Sequence, residues 1–274
     1  MQNRQAIGIF DSGIGGLSVL KDIRQLMPNE ALIYIADSRF APYGNKPLEF
    51  IQQRSHALVQ FLVEQNCKAI VVACNTATAA AIHSLRRQFE IPIIAMEPGV
   101  KPAIAATHSG VVGVLATENT LSSEQFTRLL HRYAEDVKVI SQPCPGLVEQ
   151  IEAGEFDSDA TRQLIRQFTR PLLTAGADTI VLGCTHYPLI RPQIEAAIAA
   201  LTAETNPVTR ISIIETGHAV AQQLKRVLLD RLIVSNLTEE ASISYLTSGE
   251  QQPLEQLCGK ILGQTIKLSR LPAL

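Results

Sequence analysis

Apolar and polar positions along this chain fall into blocks that predict strands alternating with helices. Short apolar runs rich in β-branched residues, typical of buried strands, lie at 6–10, 32–36, 69–73, 91–95, 110–116, 137–140, 179–182 and 211–214. Longer segments with apolar residues at helical spacing lie at 17–26, 49–66, 77–87, 122–133, 161–175 and 219–229. We expect an α/β fold with mostly parallel sheets, and one hairpin or edge strand plus a helix in residues 241–274.

Two of the predicted strands end in a cysteine with polar neighbours. Residues 69–73 lead to Cys74, which Asn and Thr follow, and residues 179–183 lead to Cys184, which Thr and His follow. Open α/β sheets bind their ligands at the carboxyl ends of parallel strands. We therefore expect Cys74 to lie where a strand meets the next helix, and Cys184 in a matching setting.

The strand that opens each half of the chain also ends in a polar residue. Asp11 follows the first strand and precedes Cys74 by 63 positions, and Thr117 follows the strand at 110–116 and precedes Cys184 by 67 positions. This near match predicts two pseudo-symmetric α/β domains with the active site in the cleft between them. We expect a discontinuous first domain, 1–97 plus 208–274, and a second domain, 98–207.

Composition narrows the possible partners and cofactors. The net charge is −2, which gives no indication of nucleic acid or of an anionic membrane as partner. No apolar run reaches the ~18 residues of a membrane span, and the first residues lack a signal peptide's apolar segment, so a cytosolic protein is expected. The five cysteines form no zinc or thioredoxin motif, and Cys67 and Cys258 are expected to be small buried hydrophobes.

Two thiols at matching strand ends can handle a proton on both faces of one carbon atom. One thiolate can remove a proton from a stereocentre while the other thiol returns a proton to the opposite face, which inverts the centre. Free cysteine is only a few per cent thiolate at neutral pH, so a neighbouring group must activate one thiol. Asp11 could assist Cys74, and His186 could assist Cys184. Asp11 could instead serve only as a helix cap.

Four segments of the chain closely resemble the bacterial glutamate racemase family, within the aspartate/glutamate racemase superfamily. The resemblance is carried, in order, by residues 10–19 (FDSGIGGLSV), 41–44 (APYG), 73–78 (ACNTAT) and 182–188 (LGCTHYP). It implies a cytoplasmic racemase that forms D-glutamate for peptidoglycan without pyridoxal phosphate, metal or other cofactor, and that assembles as a homodimer.

The same resemblance implies roles for individual residues. Cys74 and Cys184 are the implied acid/base pair, with Cys74 deprotonating the D-enantiomer and Cys184 the L-enantiomer. Asp11, His186 and Glu152 are implied to assist proton transfer, although the residues around Glu152 depart from the family's pattern. The implied substrate contacts are Asp11, Ser12, Tyr43, Gly44, Asn75, Thr76, Thr117, Thr120, Thr185 and His186.

Three other functions are compatible with these residues. The same two thiols could serve a sister racemase acting on aspartate or a hydantoin. Cys74 and Cys184 could form a redox-active disulfide, although neither has the C-x-x-C spacing or a basic neighbour typical of such pairs. The scaffold could also be a ligand-binding or inhibitory protein without catalytic activity.

Overall fold

The computed structural model describes residues 5–205 and 210–274 of the chain. The strands in these ranges are β1 (Ile7–Asp11), β2 (Leu32–Ala36), β3 (Ala69–Val72), β4 (Ile93–Ala95), β5 (Val111–Ala116), β6 (Lys138–Pro143), β7 (Thr179–Leu182), β8 (Ser212–Ile214), β9 (Ile243–Thr247) and β10 (Leu268–Arg270). The helices are α1 (Leu17–Leu26), α2 (Leu48–Glu64), α3 (Asn75–Gln88), α4 (Val100–Ala106), α5 (Glu118–Leu121), α6 (Glu124–Tyr133), α7 (Leu147–Glu152), α8 (Asp159–Thr174), α9 (Arg191–Thr205), α10 (Gly217–Asp230) and α11 (Gln251–Leu262).

The described residues form two compact units. The first comprises residues up to Met96 together with Gly217–Leu274, and the second comprises Glu97–Thr216. The first unit contains a sheet in the order β10-β9-β2-β1-β3-β4, and the second a sheet in the order β6-β5-β7-β8. Every strand pairing in these ranges is parallel, so the predicted α/β fold with two parallel sheets is confirmed.

The first sheet is built around β1, whose residues are all buried. In the parallel register, Phe10 lies opposite Val72 of β3, and Asp11 lies opposite Ala36 of β2. The pairing continues past the strand ends, because the Ala73 amide donates to the Phe10 carbonyl at 2.9 Å. This register brings the residues after β1 and β3 to the same edge of the sheet.

The second sheet is built around β5, which lies between β6 and β7. Its register extends through Gly183, whose amide donates to the Leu115 carbonyl at 2.7 Å. A Cβ on Gly183 would lie 3.0 Å from that carbonyl oxygen and 3.0 Å from Ala116 Cβ. Glycine therefore permits the close approach that carries the chain past β7 toward Cys184.

The predicted boundary at residue 208, where the chain was expected to re-enter the first domain, lies outside the described residues. The segment 211–214, which follows this boundary, was assigned to the wrong domain. The prediction placed 211–214 in the first domain, whereas β8 pairs with β7 and extends the second unit to Thr216. A strand's sheet is decided by its distant pairing partner, which the local apolar pattern does not reveal.

The last residues form an edge strand with a helix rather than a hairpin. Strand β10 pairs in parallel with β9, and α11 provides the crossover between them.

Helix α9 was not predicted, because its apolar residues are spread around the helix. In the described part of the chain, no helix is both long enough and apolar enough to cross a membrane.

Candidate active site

The first half-site is the cluster Asp11, Ser12, Cys74, Asn75 and Thr76, all of them buried. Cys74 is the N-cap of α3, where its extended backbone leads from β3 into the helix. Its Sγ accepts a hydrogen bond from the Ala77 amide at 3.4 Å, so the thiol faces the positive end of the helix. The predicted position of Cys74, at the junction of strand and helix, is confirmed.

The residues after β1 lie beside this thiol. The Cys74 thiol donates to Ser12 Oγ over a Sγ–Oγ distance of 3.8 Å. Asp11 is fully buried, and its Oδ2 accepts the Gly16 amide at 2.7 Å. A Cβ on Gly16 would lie 2.7 Å from Asp11 Cβ, so the glycine allows the turn to close around the carboxylate.

Asn75 carries an amide that the described residues leave unsatisfied. Its Oδ1 and Nδ2 are both buried without a hydrogen-bond partner in these ranges, and the residue is 3% exposed. Buried polar atoms are nearly always paired, so an unpaired amide beside a reactive thiol indicates a position for a polar ligand. Thr76 follows it in the first turn of α3 and is buried as well.

Tyr43 lies in a short 3₁₀ turn, Tyr43–Asn45, that also contains Gly44. Its hydroxyl donates to Asp37 Oδ2 at 2.5 Å, and Arg54 binds both oxygens of Asp37 at 2.7 and 3.1 Å. Burial, together with the Asp37 carboxylate, raises the pKa of Tyr43 well above its usual value, so the phenol stays neutral. Sequence reasoning missed Asp37 and Arg54; the position of Asp37 directly after β2 was the available signal.

The second half-site comprises Cys184, Thr185, His186, Glu152, Thr117 and Thr120. Cys184 follows β7, and its Sγ lies 3.7 Å from Nδ1 of His186. The other ring nitrogen, Nε2, lies 2.5 Å from Oε1 of Glu152 at the end of α7. Thiol, imidazole and carboxylate thus form one continuous chain.

The surroundings of His186 favour its charged form. Burial of the ring opposes protonation, but hydrogen bonds and electrostatic attraction from Cys184 and Glu152 outweigh it and raise the pKa of His186 well above its usual value. An imidazolium next to a sulfur atom stabilises the thiolate.

Two of the implied substrate contacts, Thr117 and Thr120, belong to this half-site. Thr117 follows β5, the neighbour of β7, and caps the short helix α5. Its Oγ1 accepts the Thr120 amide at 3.3 Å and lies 2.9 Å from the Thr120 hydroxyl. Both hydroxyls are buried at the sheet edge that carries Cys184. Thr185 is buried too, with its hydroxyl 3.4 Å from His186 Nδ1.

The remaining cysteines differ from Cys74 and Cys184 in their surroundings. Burial raises the pKa of Cys67 to about 12 and the pKa of Cys144 to about 12, so both stay as neutral thiols. Cys144 lies close to the fully buried Tyr187, whose pKa burial raises well above its usual value. Sequence reasoning did not connect these two residues, because the contact joins distant parts of the second unit.

Within 5–205 and 210–274, no three His, Cys, Asp or Glu side chains converge in a way that could hold a metal ion.

Comparison with known proteins places the chain in a family. The model of the Asp/Glu/hydantoin racemase family matches residues 7–224. A glutamate racemase from Ectopseudomonas mendocina is 48% identical over 264 residues, covering 96% of this chain and 97% of that protein. A glutamate racemase isoform from Bacillus anthracis superposes with a TM-score of 0.86 at 32% identity, over 98% of both chains.

A second solved structure extends the comparison to a ligand-bound relative. The glutamate racemase from Francisella tularensis, solved in complex with D-glutamate, superposes with a TM-score of 0.82 at 25% identity, over 98% of both chains. With a family model that spans most of the chain and relatives that match nearly its full length, the protein belongs to the Asp/Glu/hydantoin racemase family.

Proposed function

We propose that the protein interconverts L- and D-glutamate, with Cys74 and Cys184 as the two acid/base groups. The observation that carries this proposal is the pair of half-sites, each with a buried cysteine at the carboxyl end of a parallel strand. Similar relatives are glutamate racemases, and one was solved with D-glutamate, which supports glutamate as the substrate.

The reaction exchanges the proton on Cα: one sulfur gains a proton from the substrate and the other sulfur gives one to it. In the direction from L to D, the Cys184 thiolate takes the Cα proton and becomes a thiol. The electron pair left on Cα spreads into the adjacent carboxylate and makes the carbon planar. The Cys74 thiol then gives its proton to the opposite face and becomes a thiolate. The chemistry requires both sulfur atoms to reach the same Cα, from opposite faces.

His186 and Glu152 are proposed to prepare Cys184. The protonated imidazole, 3.7 Å from Sγ, stabilises the thiolate that removes the proton. Glu152, 2.5 Å from the other ring nitrogen, holds the ring in orientation and keeps it charged. Glu152 is thus proposed to act through His186 rather than on the substrate.

We propose that the thiolate form of Cys74 is stabilised without a histidine. Its Sγ accepts the Ala77 amide and lies at the N-terminus of α3, and both features stabilise negative charge on the sulfur. Ser12 is proposed to hold the thiol in place through the 3.8 Å contact. Asp11, buried on the neighbouring strand, is proposed to assist proton transfer and to contact the substrate ammonium group.

The polar groups around the thiols are proposed to bind the rest of the substrate. The unpaired amide of Asn75 and the hydroxyls of Thr76, Thr117, Thr120 and Thr185 would supply neutral donors to the carboxylates. Tyr43 and Gly44 would contribute from the turn after β2, with the phenol held by Asp37. The two sulfurs supply both proton transfers, so we propose that no cofactor or metal takes part.

The cellular role follows from the product. We infer that the D-glutamate enters peptidoglycan synthesis and shapes the cell wall, and that the protein acts in the cytoplasm as a homodimer. The family resemblance supports these inferences. Neither nucleic acid nor membrane is required for the proposed chemistry.

Circular dichroism of free L-glutamate incubated with the purified protein, without added cofactor, tests the proposed function. We expect the signal to decay to zero as the racemic mixture forms, before and after dialysis against a chelator. Decay of the signal with aspartate but not with glutamate would identify aspartate as the substrate instead. No decay with any amino acid would overturn the proposal.

A further inference from the structure

A cavity of about 450 Å³ lies at the carboxyl ends of β2, β9 and β10, at the side of the first sheet remote from β3 and β4. Three arginines from separate parts of the chain line it, Arg39 after β2, Arg54 in α2 and Arg270 at the end of β10. None of the described residues that line it is an aspartate or glutamate.

The positive charge of this cavity is only partly balanced. Within the described ranges, Asp37 is the one acidic side chain that pairs with any of the three arginines, and it pairs with Arg54. The side chains of Arg39 and Arg270 are exposed and form no ion pair there. An acidic group that entered the cavity would meet the exposed guanidinium groups of Arg39 and Arg270, with which no acidic side chain in the described ranges pairs.

One of the three arginines, Arg54, is held in a fixed geometry. Arg54 is 9% exposed, with Nε and Nη2 on Asp37 and Nη1 on the Leu274 carbonyl at 3.2 Å. The guanidinium carbon of Arg54 lies 4.4 Å from the centroid of the Phe40 ring, and the guanidinium carbon of Arg39 lies 5.8 Å from the same centroid. An arginine fixed in this way loses little conformational freedom when an anion binds beside it.

A hydroxyl completes the set of donors. Ser248 Oγ accepts the Arg39 amide at 3.2 Å, and its own O–H donates to none of the described residues. Planar guanidinium groups and a hydroxyl together match the oxygens of a phosphate or carboxylate group. We propose that this cavity binds a small oxyanion, a phosphate or carboxylate with a short organic body, between Arg39, Arg54 and Arg270.

Titration calorimetry of the purified protein at neutral pH and constant ionic strength tests this proposal, with inorganic phosphate and sodium acetate as separate probes. We expect one site for at least one probe, weakened at least about tenfold in the double variant R39Q/R270Q. The matched control is Arg87→Gln, an exposed arginine at the end of α3, which should leave the affinity unchanged.

The two probes separate the possible ligands. Binding of phosphate alone assigns a phosphorylated ligand, and binding of acetate assigns a carboxylate. The proposal is overturned if neither anion binds, if the double variant binds as tightly as the original chain, or if the control weakens binding equally. Arg39 and Arg270 belong to neither half-site, so this result is independent of racemase activity.

Discussion

The two half-sites hold the same group, a buried thiol, in different surroundings. Cys74 caps the fourteen-residue helix α3 and accepts a backbone amide, whereas Cys184 is followed by a short 3₁₀ turn, Tyr187–Ile190, and lies beside a histidine. The strand ends of two similar sheets position the sulfurs. The groups that stabilise negative charge on each sulfur come from local sequence, and they differ.

This difference predicts which half-site responds to pH. The amide and helix N-terminus at Cys74 do not titrate near neutrality. His186 does titrate, and Cys184 and Glu152 raise its pKa well above the usual value. Activity should therefore fall as pH rises through the raised pKa of His186, because the imidazolium that stabilises the Cys184 thiolate is lost there.

The largest effect is expected from removing either sulfur. Cys74→Ser and Cys184→Ser should each lower the racemisation rate by about 10²–10⁴-fold, because a hydroxyl is too weak an acid to replace a thiol. The rate of optical change of L-glutamate measures this. Cys258→Ala, at a buried cysteine in α11, is the matched control and should keep the rate.

The same two variants can assign one thiol to each face. Cys74→Ser keeps Cys184, so it should still exchange the Cα proton of L-glutamate with solvent deuterium without forming product. Cys184→Ser should exchange D-glutamate only. Equal exchange of both enantiomers by either variant would contradict the division of labour between the thiols.

The next effect is expected at the histidine pair of the second half-site. His186→Gln should lower kcat/KM by about 10²-fold, since it removes the positive charge beside Cys184. Glu152→Gln should lower it less and should shift the basic limb of the pH profile to lower pH, because the carboxylate helps to raise the pKa of His186. The pH dependence of kcat/KM measures both.

An unchanged profile in Glu152→Gln would show that Glu152 does not act through His186. The same substitution at Glu149, on the same short helix α7, is the control and should leave the profile in place.

A smaller effect is expected in the first half-site. Ser12→Ala removes the hydroxyl that meets Sγ of Cys74 at 3.8 Å, which should lower kcat about tenfold or less, because one hydrogen bond contributes about 0.5–1.5 kcal/mol. The shape of the pH profile should not change. A shift of that profile would mean that the first half-site also depends on a titrating group.

The last effect, at Tyr43, is expected on folding stability rather than on rate. Tyr43→Phe should destabilise folding by about 1–3 kcal/mol, since it leaves one hydrogen bond of the buried Asp37 carboxylate unmade while Arg54 still binds it. Thermal unfolding measures this change. Tyr133→Phe, on the partly exposed end of α6, should leave the unfolding midpoint nearly unchanged.

Local patterns predicted the strand ends well. The run before Cys74 and its polar followers placed that residue at a junction of strand and helix, because burial and helix capping are encoded within a few residues. The short helix α5 was missed, because its four residues are too few to show a helical spacing of apolar positions. The helix predicted at 122–133 corresponds to α6, which Ser123 caps through its hydroxyl.

Contacts between distant residues were harder to predict. Glu152 lies 34 positions before His186, and only the folded second unit brings their side chains to 2.5 Å. The hydroxyl of Tyr43 donates a hydrogen bond to Asp37, a contact that the sequence around Pro42 and Gly44 does not indicate. Strand β8 was assigned to the wrong domain for the same reason, since its paired residues on β7 lie 33 positions earlier, as in Thr179 opposite Ser212.

The central claim is that two different sulfurs serve the two faces of the substrate. Its most direct test is the deuterium content at Cα during the first turnovers of L-glutamate in deuterated water. We expect the D-glutamate formed to carry deuterium from the outset, while the remaining L-glutamate still carries protium. Early D-glutamate that retains the original protium would show that one group moves the proton across both faces, and would contradict the account.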